Sequence, residues 1–226
     1  MTYGLTVQNN DNYIQIDSDT PRLCAMCNGS YAASGSSAVT ITFPKPIKTT
    51  EPPCIFIRNA NQGSVLYNGM YILGSPGNWT GFQLSAGNVN WRPSGKWFAA
   101  VFASQSSALW GLRMWDAAGV IIYDSGLPPV LVTKATNAWS YQGAVQLDIG
   151  RAYYYLSAAV GALATDEYFM INPFSRGLLA AQQTTWNSSG VRFDYSSNRL
   201  QLYSVGTTAW INNGAPGAVF ARLPGT

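Results

Sequence analysis

Trp110-Gly-Leu-Arg-Met-Trp-Asp-Ala-Ala-Gly-Val-Ile-Ile-Tyr-Asp-Ser-Gly-Leu-Pro-Pro129 is the stretch whose reading decides the fold. Leu112 and Met114 fall on one face of an extended strand. Asp116-Ala-Ala-Gly119 is a polar turn with a glycine available for positive φ, and Val120 to Tyr123 returns as β-branched and aromatic residues. Together they predict a β-hairpin. The same hairpin stands at the N-terminus, displaced by 107 positions without a gap: Gly4 with Gly111, Leu5 with Leu112, Ile14 with Ile121, Asp17 with Asp124, Ser18 with Ser125, Pro21 with Pro128. An ordered set of identities at one shift is the mark of an internal duplication.

Further matches follow in the same order along the chain. Ala38 to Phe43 alternates apolar and polar residues, as a half-buried strand does, and Ala144 to Ile149 answers it. Cys54 to Ile57 is answered by Tyr168 to Ile171, Gly81 to Leu84 by Gly190 to Tyr195, and Ala99 to Ala103 by Gly217 to Ala221. Asn68-Gly69 interrupts Val65 to Leu73 and reads as a hairpin turn. Outside 153–163 no window of helical length carries a 3.6-residue apolar period. The expectation is an all-β chain of two tandem duplicated antiparallel β-sandwich domains of about seven strands each, over 1–105 and 107–226. The Ser/Gln stretch Ser104 to Ala108 is the boundary. The halves differ mainly by an insertion around Arg151 to Thr165, in which Tyr153 to Leu163 reads as either strand or short helix.

Composition narrows the function. Of 226 residues, 10% are charged, against about 25% in an ordinary globular protein, and 13% are aromatic. A neutral polar surface rich in aromatics suits parts that assemble or recognise sugars, and it suits a plain β-sandwich as well. Net charge is +3 with Lys and Arg scattered singly, so no basic stripe supports nucleic-acid binding. No apolar run reaches membrane-spanning length and no signal peptide is read at Met1-Thr-Tyr-Gly, which predicts synthesis in a host cytoplasm without membrane insertion.

The chain has no histidine, which removes Ser-His-Asp and Cys-His catalysis and every His-ligated metal site. Cys24-Ala-Met-Cys27 with Cys54 provides three thiols where a structural zinc wants four ligands, so the cysteines read as small buried apolar residues. No Gly-rich phosphate loop opens a helix. A carboxylate pair across a cleft is the remaining catalytic route. Asp17 and Asp124, each followed by Ser at a strand end, read better as turn caps, and Asp166-Glu167 would point to opposite faces. No enzymatic activity, cofactor or metal is therefore expected. Tyr67, Tyr71, Trp79 and Trp91 lie in or beside Gly/Asn-rich turns, where aromatics can stack on a sugar or anchor an interface. With Tyr154 of the insertion they are the candidate contact residues. Each has the alternative of folding back as a minor core residue.

The order aromatic-Gly-Leu-x-Val/Met, polar turn, hydrophobic strand and Asp-Ser resembles the start of a family of small bacteriophage tail proteins, encoded among tail-tip and fibre genes of siphophages and prophages. The opening Met1-Thr-Tyr-Gly-Leu5 and the ending Tyr123-Asp-Ser125 carry the likeness, which is strongest over 1–23 and 110–127. The turn at Asn9 to Asn12 lacks the usual glycine, and Gln15-Ile-Asp17 lacks the aromatic before Asp. The resemblance implies a virion structural protein of the tail tip, baseplate or fibre, near the host-contacting end. Its partners would be other tail proteins and a host surface receptor, glycan or protein. Scarce charge favours self-association, and the resemblance favours a homotrimer. The alternatives are a stand-alone carbohydrate-binding module and a virion-associated glycan hydrolase.

Overall fold

The structure, a computed structural model, describes residues 6–8, 14–17, 22–60, 65–87, 92–103, 109–116, 118–147, 150–157, 164–174, 188–194, 198–205 and 216–226. The first half runs β1 (Thr6–Gln8), β2 (Ile14–Asp17), β3 (Leu23–Ala32), β4 (Ala38–Ile47), β5 (Cys54–Asn59), β6 (Tyr67–Ser75), β7 (Asn78–Ala86) and β8 (Ser94–Phe102). The second runs β9 (Arg113–Trp115), β10 (Ile121–Asp124), β11 (Leu131–Thr136), β12 (Trp139–Leu147), β13 (Gly150–Ser157), β14 (Tyr168–Met170), β15 (Ser188–Asp194), β16 (Arg199–Val205) and β17 (Ala218–Arg222). The all-β antiparallel sandwich is present. One sheet has the order β11-β17-β14-β5-β8-β3, the other β12-β13-β16-β15-β6-β7-β4, and β1–β2 and β9–β10 stand apart as two-stranded hairpins.

Period-two alternation places the core between the sheets. Ile55, Ile57, Trp97, Ala99, Phe169 and Phe220 of the six-stranded sheet meet Ile41, Phe82, Leu84, Val191 and Leu202 of the seven-stranded one in a single buried cluster. Phe82 and Trp97 cross between the sheets edge to face, with ring centroids 5.2 Å apart. The intervening residues of the six-stranded sheet form a second cluster, in which Phe56, Phe98 and Tyr168 pack with Ala25, Ala100, Ala221 and Leu223. Curling of the sheet accounts for their burial. β3 and β11 are its opposite edges, about 24 Å apart if the sheet were flat. Yet Ala25 N–H donates to Pro128 O (3.0 Å) and Val130 N–H to Leu23 O (2.9 Å), so residues immediately before β11 pair with β3. Two residues of chain reach only about 7 Å. The sheet therefore bends until its edges meet at that end, and the second cluster fills the hollow.

The duplication is written into the pairing. In the first hairpin Thr6 faces Asp17, Val7 faces Ile16 and Gln8 faces Ile14, with a register shift after Val7. In the second, Arg113 faces Asp124, Met114 faces Tyr123 and Trp115 faces Ile121, with the corresponding shift. Every partner and the irregularity itself are displaced by the same 107 positions. The register shift at Ala25/Cys27 in β3 likewise recurs at Val132/Lys134 in β11. Three strands of each half correspond in each sheet, β3-β8-β5 answered by β11-β17-β14 and β4-β7-β6 by β13-β16-β15, with β12 as a fourth strand from the second half.

The halves do not stand as the separate sandwiches expected over 1–105 and 107–226. They continue into one another through β5–β14 and β6–β15, so both sheets cross the expected boundary. The seam is symmetric: Ile57 faces Phe169 and Phe56 faces Met170, while Ile171 N–H donates to Ile55 O at 2.9 Å. Since Ile55 and Ile57 correspond to Phe169 and Ile171, the pairing maps onto itself. The physical reason is burial. Ile55, Phe56 and Ile57 are apolar on both faces and fully buried, and a strand of that kind belongs in the middle of a sheet, paired on both sides.

Three local expectations change. Asn68-Gly69 is a bulge inside β6, where pairing with β7 skips from Tyr67 to Gly69. A Cβ on Gly69 would lie 2.4 Å from Ser85 Oγ, so the glycine serves close approach, and the turn falls at Pro76-Gly77, where Gly77 has φ of 80°. Gly190 to Tyr195 contributes β15, the counterpart of β6 and not of Gly81 to Leu84. Beside β16 the place that β4 holds beside β7 is taken by β13, so β12, with its Ala144, is the additional strand. Within the insertion, Tyr153 to Ser157 is strand, flanked by β12 and β16. Pro44 and Pro46 do lie in an edge strand, β4, where pairing skips from Thr42 to Ile47.

One ion pair ties β11 to the loop before β14. Lys134 Nζ bonds Glu167 Oε1, with the carboxylate side chain almost wholly buried. Burial pushes the Glu167 carboxyl up, but hydrogen bonds from Lys134, Thr133 and the Ala164 N–H, with the Lys134 charge, outweigh it and hold it below the ordinary value. Folded Glu167 thus keeps its charge to lower pH than the unfolded side chain, whose value is about 4.3. The pair's contribution is complete above that value and is lost as pH falls through the lowered one. Lys134→Met, which leaves a buried carboxylate unpaired, is expected to cost about 3 kcal/mol in urea unfolding at neutral pH. The acid loss of stability should be shallower in Glu167→Gln. At the seam, a fragment of residues 1–105 bares the β5 and β6 edges, and size-exclusion chromatography is expected to find it aggregated rather than a folded monomer.

Candidate functional site

The hairpin β9–β10 is built by residues that the repeat shares, Gly111, Asp124 and Ser125, together with Asp116, Gly119 and Arg113, which it does not share. Asp116 Oδ1 accepts from the Ala118 and Val120 N–H groups, both at 2.8 Å, and Gly119 takes φ of 78° to close the turn. Asp124 Oδ2 accepts from Arg113 Nε at 2.8 Å, with Arg113 Nη2 also at 2.8 Å, and Asp124 Oδ1 caps the Gly126 N–H. Ser125 Oγ accepts from the Leu112 N–H at 3.0 Å. Gly111 is required beside it: its φ is 136°, and a Cβ there would lie 2.1 Å from Ser125 Oγ. The recurring Gly and Asp-Ser are thus a hairpin clasp, and the turn-cap reading of Asp124-Ser125 holds.

That clasp fixes a surface. β10 is the inner strand, with Ile122 and Asp124 buried, while Leu109 (95% exposed), Trp110 (90%), Leu112, Trp115 (55%) and Val120 project into solvent. Leu109, Trp110, Leu112 and Trp115 border a shallow cleft of about 340 Å³ that also touches Arg113, Asp124 and Ser125. The Asp124 carboxylate, the Arg113 guanidinium and the Ser125 hydroxyl are engaged within the hairpin, and the cleft presents polar and apolar surface in similar measure.

The five candidates read from the sequence do not converge. Tyr67 is 1% exposed, between the sheets with its hydroxyl 2.8 Å from that of Tyr31. Trp79 is buried too, its Nε1 donating to Thr49 O at 2.9 Å. Both are corrections with one cause: the Gly-rich residues beside them are a bulge and a hairpin end, so each aromatic lies in a strand and packs inward. Tyr71 remains exposed on β6, and Trp91 lies outside the described residues. The backbone of Tyr154 runs in β13 opposite Gly143 and Tyr203; its side chain is likewise outside the described residues. Its neighbour Tyr155 is core, its ring 5.2 Å from Tyr141.

Trp110 and Trp115 were missed as contact residues because they belong to the fold-defining motif and read as strand. The signal was there. As consecutive strand residues Met114 and Trp115 fall on opposite faces, and a two-stranded hairpin cannot bury both.

Other chemistry-bearing groups are engaged structurally. Asp166 meets Arg222, Asp194 accepts from Gln201, and among the described residues no group of three His, Cys, Asp or Glu is placed to hold a metal ion. Burial pushes the Cys27 thiol up to about 12 and raises that of Cys54, which keeps both as unreactive thiols at neutral pH. No helix among the described residues is long and apolar enough to cross a membrane. Compared with protein-family models, curated proteins and solved structures, the chain matches none. Gly111→Ala is expected to open the clasp, seen as loss of hydrogen-exchange protection at the Leu112 and Ser125 amides, with the sheets β3–β8 and β15–β16 unaffected.

Proposed function

We propose that the protein is a non-enzymatic structural component of a bacteriophage tail tip, baseplate or fibre, assembled into the virion as a homo-oligomer and presenting the β9–β10 hairpin as a contact surface. The observation that carries the reading is the exposed aromatic cap formed by the motif through which the sequence resembles tail proteins. A hairpin clasped by its own Asp, Ser and Gly, with tryptophans turned outward, is constructed for contact rather than for turnover. The carboxylates engaged in ion pairs and caps support the non-enzymatic part, and the sparse charge supports close packing beside other tail proteins. A trimer is the closed form that the family resemblance favours. Engagement of the cleft's polar groups disfavours a stand-alone carbohydrate-binding module, since a sugar site needs polar groups free to orient hydroxyls.

Antibody against the purified chain, applied to phage particles induced from the source strain, is expected to decorate the tail end in electron micrographs. Finding the chain only in the soluble lysate, with particles unlabelled, would remove the tail assignment. Hydrolysis of host polysaccharide that disappears in an Asp→Asn or Glu→Gln variant would remove the non-enzymatic one.

A further inference from the structure

We propose that the β9–β10 cap is a self-association surface, docking through Leu109, Trp110, Leu112 and Trp115 onto the same surface of a second copy of this chain around a closed symmetry axis. The inference rests on reading the hairpin as a contact surface, and it is independent of where in a particle the protein resides.

Area is the first argument. At about 200 Å² for a large side chain, the exposed parts of Leu109, Trp110, Leu112 and Trp115 amount to roughly 580 Å². A monomer's largest apolar patch is about 300–600 Å², whereas one partner's share of a standard interface is about 800 Å². The cap therefore stands at the top of what a monomer leaves exposed and supplies most of one partner's share.

Charge selects the occupant. Within the cap Arg113 is turned onto Asp124, and Asp116 is turned onto its own loop. Two identical caps can meet without setting like charges together, as a closed contact between copies requires. A glycan would find the Asp124 and Ser125 oxygens already bonded. Hairpin stability points the same way, because a two-stranded sheet is marginal in water until a further layer covers its apolar face, and β9–β10 pairs with no third strand among the described residues.

The other surfaces are weaker candidates. β4 is blunted by Pro44 and Pro46, and β3 is covered by residues 128–130. β12 is an uncharged edge, but its pairing is broken by the bulge at Tyr141/Gly143, a feature that itself discourages edge pairing.

Sedimentation of the purified full chain across micromolar concentrations tests the proposal. The wild type is expected to form a closed oligomer, and Trp110→Ser/Trp115→Ser to weaken it at least about 100-fold, as loss of interface anchors does. Tyr71→Ser, away from the cap, is expected to change nothing. Circular dichroism checks that the double variant folds. Should it not fold, acrylamide quenching of wild-type tryptophan fluorescence replaces it, with shielding expected to grow with concentration.

A wild type that stays monomeric, or an oligomer indifferent to the double substitution with unchanged quenching, overturns the proposal while leaving the tail assignment standing. Protection of the monomer's tryptophans by host glycan overturns it in favour of sugar recognition. Association through the cap by a protein absent from phage particles upholds this inference and removes the tail assignment.

Discussion

Main-chain pairing of β5 with β14 is the constraint on which the rest of the structure depends. Ile55, Phe56 and Ile57 are fully buried, so that strand has apolar residues to hide on both faces and polar backbone to satisfy on both edges. β8 satisfies one edge and the duplicate of β5 the other. A strand paired with its own duplicate makes a symmetric seam, and symmetry lets two copies of one half complete each other without new sequence. Joining the halves gives each sheet enough width to cover the other, and in the six-stranded sheet enough to curl round a second apolar cluster.

The curl explains why a chain so poor in charge can hold together. In the hollow Phe56 stacks on Phe98 with ring centroids 4.6 Å apart and Tyr168 meets Phe98 edge to face at 4.9 Å, while Ile55, Trp97 and Phe169 face the other sheet. Each central strand therefore contributes to two apolar layers, and burial does what surface ion pairs would do only weakly. Where charge is buried it is paired: Lys134 with Glu167, and Arg113 with Asp124. The two pairs lie at opposite roles, one locking β11 against the loop before β14, the other clasping the hairpin that carries the exposed tryptophans. Core and exposed hairpin are in this way organised by the same rule, that a buried charge needs its partner.

The hairpins show how one motif can be kept for different ends. Both share register and irregularity, yet Arg113 stands where the first copy has Thr6, and Trp115 where it has Gln8. The Gly and the Asp-Ser that clasp the second hairpin are shared, while the turn residues are not. The residues that project outward diverged as well, toward a basic clasp and an aromatic cap in the second copy.

By itself the sequence determined the hairpin at the head of each half, though not its strand ends, the all-β class and the correspondence of Cys54 to Ile57 with Tyr168 to Ile171. All of these depend on local alternation, turn chemistry or identity at a constant shift, which a single chain carries. The tertiary structure alone decided that two halves share two sheets, that Asn68-Gly69 is a bulge, and that Tyr67 and Trp79 point inward while Trp110 and Trp115 point out. Those outcomes depend on which edge meets which and on what covers a face. An apolar residue reads the same in sequence whether its neighbour across the sheet is present or missing, so only the assembled layers separate a core aromatic from one left waiting for a partner.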